Sequence, residues 1–198
     1  MLLRLSATSP FARKVRLAAA VAGLPIELQL ADTVDPSDTL RQQNPLGKIP
    51  TLITDAGECL YDSRVILAYL DQVAGGGVLL PKDPAAFIAS LKLEALADGL
   101  MDAGVLVLYE TRFRPVEKHE EKWLDHQRQK MARALAALEA APPDLDAPLG
   151  AGEIALGCAL GFLDFRFAGA WRADHPRLVA WQAAFAARCP QFEETAPR

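Results

Sequence analysis

Cysteine is scarce in this sequence of 198 residues, with three in all. The three stand far apart, and their odd number argues against a disulfide framework. Cys59 falls in a predicted strand and Cys158 in a predicted buried helix, so both are expected in the core, whereas Cys189 has no assigned role. The pattern predicts reduced thiols, as is typical of a cytoplasmic protein.

Histidine is equally sparse, with three residues at positions 119, 126 and 175. His119 and His126 are separated by seven positions in a polar helical segment, which favours a solvated helix face. No spacing typical of metal ligands occurs. The sequence therefore predicts no metal site.

Long apolar runs are absent too, since none reaches the roughly 18 residues that a membrane-spanning helix requires. Arg4 interrupts the first apolar run, so no signal peptide is expected. A net charge of −4 and a pI near 5.4 argue against nucleic acid as an obligate partner. The basic cluster Arg13, Lys14 and Arg16 is interpreted as a solvated helix face. We expect a cytoplasmic protein that binds neither membrane nor nucleic acid.

The first part of the chain alternates between strand and helix signals. Strands are predicted at 2–7, 26–30, 51–54 and 58–61, and helices at 10–22, 36–43 and 64–73. The first two strands are joined through a helix and should be parallel. The last two flank Asp55-Ala56-Gly57, a hairpin turn signal, and should be antiparallel. These signals predict a small mixed sheet with helices packed on it.

A break in composition follows, from the glycine run at 75–77 to Pro84. We place a first domain at 1–75, a linker at 76–84 and a second domain at 85–198. Beyond the linker only helices are predicted, at 85–108, 117–141, 154–168 and 176–187. The segment 154–168 is apolar on almost every side, which is typical of a helix at the centre of a bundle.

A hydroxyl-rich turn joins the first strand to the first helix. Ser9 stands where an N-cap belongs, and Pro10 stands at the first helical position, where its missing N–H costs nothing. The free N–H groups of a helix start attract an anion or a thiolate. On its own, however, such a Ser-Pro step is an ordinary helix start.

Two further motifs accompany it: Asn44–Pro50 immediately before the third strand, and Tyr61-Asp62-Ser63-Arg64 at the start of the third helix. With these three motifs in this order, the chain resembles the cytosolic glutathione S-transferase superfamily, particularly its bacterial serine-type members. The resemblance covers nearly the whole chain, including the Pro-rich linker and the segment Glu94–Asp102. It implies a thioredoxin-like N-terminal α/β domain with a mixed four-stranded sheet, followed by an all-α C-terminal domain.

The resemblance also implies a glutathione site. Ile49-Pro50 matches the family's cis-proline turn, which would offer the Ile49 N–H and C=O to the cysteinyl backbone. Ser63, interpreted as an N-cap, would bind the γ-glutamyl carboxylate. Asp62 would take the ligand ammonium, although the family more often has Glu or Gln there. Lys48 would pair with the glycyl carboxylate, or else be a solvated surface lysine.

Ser9 is the implied catalytic residue, donating its hydroxyl hydrogen to the glutathione sulfur. A free thiol has a pKa near 8.5, and one charge-assisted hydrogen bond of about 1.5–3 kcal/mol would lower it by about one to two units. Thr8 is the fallback hydroxyl if the turn is rotated. A Ser-His-Asp hydrolase is excluded because the sequence has no G-x-S-x-G motif and no histidine placed as a base. Residues 9–12 lack cysteine at either end, which excludes a dithiol redox site.

The second substrate, a small electrophile, is expected between the domains. The implied pocket is lined by aromatic and arginine side chains: Phe11, Tyr109, Arg112, Phe113 and Trp171. Family members form homodimers in which a partner acid reaches the ligand ammonium, and Asp102 stands at the matching place, with Asp98 one turn earlier.

The expected function is conjugation of glutathione to electrophiles in detoxification. Two alternatives stay open. One is a non-catalytic stress- or transcription-associated adaptor on the same fold. The other is a glutathione-dependent isomerase, dehalogenase or reductase that uses the same thiolate on another substrate.

Overall fold

The computed structural model describes residues 1–197 and opens with an α/β half. Its elements are β1 (Leu2–Leu5), α1 (Pro10–Val21), β2 (Glu27–Leu30), α2 (Leu40–Gln43), β3 (Thr51–Ile53), β4 (Cys59–Leu60) and α3 (Ser63–Val73). The strand order is β2-β1-β3-β4, with β1 parallel to β2 and the other pairs antiparallel. The predicted mixed four-stranded sheet is confirmed.

Successive side chains of β1 point to opposite faces of the sheet. Leu3 and Leu5 are buried in one apolar cluster with Val15 of α1 and Ile66 of α3. Arg4 points the other way, toward α2, to which it is hydrogen-bonded. The sheet therefore has an apolar face under α1 and α3, and a face under α2 in which Arg4 is buried.

The second half is helical. Its elements are α4 (Pro84–Phe113), a 3₁₀ turn (Val116–Lys118), α5 (Glu121–Ala140), α6 (Ala151–Phe167), a second 3₁₀ turn (Ala170–Asp174), α7 (Pro176–Arg188) and α8 (Gln191–Glu194). Helix α6 is buried along 151–163 except at Glu153, as predicted for a central helix, although it begins three residues earlier than expected. Within residues 1–197 no helix is both long and apolar enough to cross a membrane.

The segment between α3 and α4 is anchored by one buried carboxylate. Asp71, 2% exposed, accepts hydrogen bonds from the backbone N–H groups of residues 77–80 at 2.7–3.2 Å. Burial opposes its ionisation, but these hydrogen bonds, from Leu79 above all, outweigh it and hold the pKa of Asp71 below its usual value. The start of the predicted linker 76–84 is thus tied to the last turn of α3.

The prediction that Lys14 lies on a solvated face is wrong. Its side chain is completely buried where α1 meets α4. The ammonium donates to Glu94 at 2.9 Å and to both oxygens of Asp98 at 2.8 and 2.9 Å. The charge is tolerated in the interior because these two carboxylates neutralise it and accept its hydrogen bonds. This ion triad joins the two halves.

Arg13 is buried as well, against the C-terminal segment. Its guanidinium donates to the Phe192 carbonyl and to the Thr195 hydroxyl, and it lies 4.0 Å from the centroid of the Phe192 ring. Gly161 of α6 makes room, since a Cβ there would stand 2.4 Å from the Arg13 Nη1. Arg16 adds a bond to the Thr195 carbonyl at 3.4 Å. Arg13 and Arg16 thus hold the C-terminal segment on α1.

Candidate active site

Strand register brings the three sequence motifs to one edge of the sheet. Thr51 pairs with Arg4, so the turn before β3 lies beside the carboxyl end of β1. Leu60 pairs with Leu52, so the turn from β4 into α3 ends at the same edge. Three motifs spread between positions 8 and 64 of the sequence therefore surround one surface.

Ser9 occupies this edge as the N-cap of α1. Its hydroxyl oxygen accepts from the Ala12 N–H at 3.2 Å, and its backbone N–H donates to the Ser6 carbonyl at 3.1 Å. The residue is half-buried, and the cap bond uses only an acceptor site of the hydroxyl. The hydroxyl hydrogen remains available as a donor above the start of the helix.

The turn before β3 contributes open backbone groups. The Ile49–Pro50 peptide is cis, as the sequence resemblance implied. Among the described residues no hydrogen bond occupies the Ile49 N–H or C=O. The turn is held instead through the neighbouring Lys48 carbonyl, which accepts from Asn44 Nδ2 at 2.9 Å and from Thr51 Oγ1 at 3.0 Å. The Lys48 residue itself is exposed.

At the start of α3 the structure corrects the predicted cap. Asp62, not Ser63, is the N-cap, and its carboxylate accepts from the Arg64 N–H at 3.0 Å. Ser63 is the first residue of the helix and is 2% exposed. Within residues 1–197 neither its backbone N–H nor its hydroxyl is hydrogen-bonded. Ser63 therefore retains the open donors of a helix N-terminus.

Charged side chains connect this helix start to the buried triad. Arg64 pairs with Asp62 at 2.8 Å and lies 3.8 Å from Asp98. Burial opposes the ionisation of Asp62, but the bonds from Arg64 outweigh it and lower the pKa of this carboxyl. Partial burial and the charge of Asp98 raise the pKa of Asp102, against the opposing charges of Arg64 and Lys48. Asp62, Asp98 and Asp102, the acids predicted near the ligand ammonium, thus lie close enough for the charges of Asp62 and Asp98 to affect the pKa of Asp102.

A narrow cleft opens beside Ser9 between the two halves. It is lined by the turn residues 7–10 and by Arg13, Cys158, Phe162, Phe165 and Pro197. Burial raises the pKa of the Cys158 thiol to about 12, so this cysteine stays protonated at neutral pH and supplies no nucleophile. The two phenylalanines and Pro197 were missed by sequence reasoning. The apolar pattern of 154–168 predicted a buried helix, which holds both phenylalanines, but not which of its sides faces the cleft.

The residues predicted for the second pocket do not line this small cleft. Tyr109 and Phe113 form an edge-to-face pair with ring centroids 5.1 Å apart at the exposed end of α4, and Arg112 lies over Phe113 at 5.2 Å. Phe11 is half-buried against the core. Trp171 is buried and donates to Asp164 at 2.9 Å. None of these residues lines the cleft at Ser9.

In the described part of the chain, no group of three His, Cys, Asp or Glu side chains is placed to hold a metal ion. The polar groups at this edge are the Ser9 hydroxyl, open backbone donors and charged side chains.

Comparison with known proteins decides the family. The glutathione S-transferase N-terminal domain model matches residues 4–77, and the C-terminal domain model matches residues 121–184. An uncharacterized GST-like protein of Escherichia coli strain K12, YibF, is 38% identical over 178 residues, which is 88% of each chain. The chain belongs to the glutathione S-transferase family.

Solved structures of other glutathione S-transferases share the whole fold. A family member from Pseudomonas fluorescens Pf-5, crystallised with bound glutathione, is 46% identical with a TM-score of 0.92, covering 100% of this chain and 98% of that one. A second, from Methylobacillus flagellatus KT and also glutathione-bound, is 38% identical with a TM-score of 0.92, covering 100% and 99%.

Proposed function

We propose that this chain is a glutathione transferase in which Ser9 stabilises the glutathione thiolate. The observation that carries the proposal is the free donor of the Ser9 hydroxyl at the N-terminus of α1, on the edge that also holds the open groups of Ile49 and Ser63. The glutathione bound in the structures of the Pseudomonas and Methylobacillus relatives supports the choice of glutathione as the ligand.

Each part of the peptide finds a chemical complement along this edge. The γ-glutamyl carboxylate accepts from the Ser63 N–H and hydroxyl at a helix N-terminus, where negative charge is favoured. Asp62 attracts the ligand ammonium. Ile49 pairs with the cysteinyl backbone as a short strand edge. Lys48 attracts the glycyl carboxylate. In a homodimer, Asp102 of the second copy completes the ammonium site.

The chemistry follows from thiolate stabilisation. The Ser9 hydroxyl donates to the cysteinyl sulfur, and the N–H groups of the first turn of α1 add positive potential, so the thiol loses its proton to solvent more readily. The sulfur then attacks an electrophilic carbon, forming an S–C bond while the leaving group departs with its bonding electrons. Phe11 beside the turn and the exposed Phe165 of α6 supply apolar contact for the electrophile.

More distant parts of the second pocket are proposed at the end of α4, where Tyr109, Arg112 and Phe113 present an exposed aromatic and cationic surface. A role in detoxifying electrophiles in the cytoplasm fits this chemistry.

The test compares Ser9→Ala with Thr8→Ala, which removes a hydroxyl from the same turn and cleft. Conjugation to a chloronitrobenzene is measured beside calorimetric glutathione affinity and the ultraviolet absorbance of bound thiolate against pH. Ser9→Ala should keep affinity within several-fold, lose most turnover and raise the bound-thiol pKa by about one to two units. Thr8→Ala should resemble the wild type. Unchanged turnover in Ser9→Ala would refute the assignment of Ser9 as the catalytic residue.

The wild-type result also separates the alternatives. Glutathione binding without turnover on a broad electrophile panel would indicate the non-catalytic adaptor. Turnover confined to isomerisation, dehalogenation or reduction would keep the thiolate and change the reaction class.

A further inference from the structure

The face of the sheet opposite the main core is organised around one buried cation. Arg4 of β1 is 3% exposed, and its guanidinium makes four hydrogen bonds. Nη1 donates to the Thr39 hydroxyl at 3.0 Å and to the Gln43 side chain at 2.6 Å. Nη2 donates to the Asp38 carboxylate at 2.7 Å and to the Leu30 carbonyl at 3.5 Å. A single side chain thus holds both ends of α2.

Helix α2 requires such support because it is only four residues long, and an isolated helix of that length is unstable in water. Its one buried residue is Leu40. Asp38 carries the support further, since its carboxylate also accepts from the backbone N–H groups of Asp32 and Leu40 at 2.8 and 2.7 Å. The ion pair of Arg4 and Asp38, with both side chains largely buried, therefore fixes the whole segment 32–43 on the sheet.

From α2 the network continues to the ligand-facing turn. Asn44, which directly follows α2, is 1% exposed and donates through Nδ2 to the Lys48 carbonyl and to the Thr51 hydroxyl. Its Oδ1 accepts from the Leu46 N–H at 3.0 Å. Thr51 is the cross-strand neighbour of Arg4 and also donates to the Lys48 carbonyl. Arg4 and Thr51 thus hold the two ends of the segment that presents Lys48.

We propose that Arg4 is a positioning residue for the glycyl end of glutathione, acting through α2 and the turn 44–48 without touching the ligand. The inference rests on the proposed function, because it assigns the glycyl carboxylate to Lys48. Its specific consequence is selectivity: Arg4 supports the subsite that distinguishes glutathione from γ-glutamylcysteine, which lacks the glycine. The γ-glutamyl subsite at Ser63 lies on α3, away from α2. Ile49 directly follows Lys48, but Thr51 and the backbone ladder of β3 hold it from its other side and stay in place in Arg4→Met, so the cysteinyl subsite depends on α2 less than the glycyl subsite does.

The experiment measures the affinity of both peptides by calorimetry for the wild type, Arg4→Met and Arg4→Lys. Arg4→Met should weaken glutathione binding by about tenfold, the loss expected when Lys48 no longer reaches the glycyl carboxylate. Binding of γ-glutamylcysteine, which lacks that carboxylate, should weaken by less than about twofold. Arg4→Lys should fall between, since lysine keeps the charge facing Asp38 but lacks the planar fork. Gln29→Met is the matched control, because Gln29 is the exposed cross-strand neighbour of Arg4 on β2.

If Arg4→Met fails to fold, Asp38→Asn tests the same ion pair from the other partner, with the same selective loss expected. An equal loss for both peptides, or unchanged affinities, would overturn the proposal and leave the transferase function standing. A wild type that binds neither peptide would overturn the proposed function, and this inference with it. Hydrogen exchange gives a second readout, as the amides of segment 32–48 should lose protection in Arg4→Met while those of α3 keep theirs.

Discussion

The substitution Lys14→Met gives the sharpest test of how the two halves are joined. It removes the ammonium but keeps an unbranched side chain of similar length in the same site. Glu94 and Asp98, which are 2% and 5% exposed, then face each other without their shared cation. The half-exposed Arg64, 3.8 Å from Asp98, is too solvated to replace it.

Removing one partner of a buried ion pair costs about 3–5 kcal/mol, chiefly because a buried charge loses its compensation. Two carboxylates are affected here, so we expect a loss at the upper end of that range. For a chain of this size each kcal/mol lowers the melting temperature by about 2–4 °C, which gives a fall of about 10–20 °C. Such a loss is a large part of the 5–15 kcal/mol that stabilises a typical domain.

Urea denaturation followed by circular dichroism measures this loss as a change in midpoint. Lys92→Met is the control, because Lys92 is exposed on α4, and its effect should stay within about 0.5 kcal/mol. Adding Glu94→Gln and Asp98→Asn to Lys14→Met should restore much of the stability, since the remaining groups are then uncharged. A loss below about 1 kcal/mol in Lys14→Met, the value of a surface pair, would refute the reasoning.

Two other predictions concern the glutathione site and the linker. Ser63→Ala and Asp62→Ala should weaken glutathione binding more than they change the bound-thiol pKa, and calorimetry showing wild-type affinity in both variants would contradict their placement. Asp71→Asn should destabilise the fold by about 1–3 kcal/mol at neutral pH, because it removes the charge that four backbone N–H groups share. Since the pKa of Asp71 is lowered on folding, its contribution is present above the unfolded pKa of about 3.9 and is lost as the pH falls through the lower folded value. Urea midpoints at neutral and acidic pH should therefore converge for the wild type and Asp71→Asn, and a constant gap would exclude the charge as the cause.

Local signals were sufficient wherever the structure depends on neighbours in sequence. The Ser9-Pro10 step predicted the start of α1 because a cap and its N–H partner lie within one turn. Asp55-Ala56-Gly57 predicted the β3–β4 hairpin, and Gly57 has the positive φ of 85° that such a turn requires. The alternation of strands and helices then determined the sheet.

Contacts between distant residues were beyond local reasoning. Lys14 was expected in solvent because its neighbours are basic, whereas its partners are 80 and 84 positions away on α4. At the candidate site, the three motifs were recognisable, but the aromatic wall of the cleft was not. Phe162 and Phe165 face Ser9 only because α6 passes beside α1, a relation that the apolar pattern of α6 alone does not contain.

The contacts between Arg13 and the C-terminal segment have a consequence for biosynthesis. Arg13 emerges from the ribosome 182 positions ahead of its partner Thr195. At about 5–20 residues per second, that interval lasts about 9–36 s. Throughout it, α1 has an arginine without its carbonyl and aromatic partners. The edge that carries the candidate site is thus among the first parts to be translated, and a ribosome stalled before residue 192 would hold it without the C-terminal contacts of Arg13.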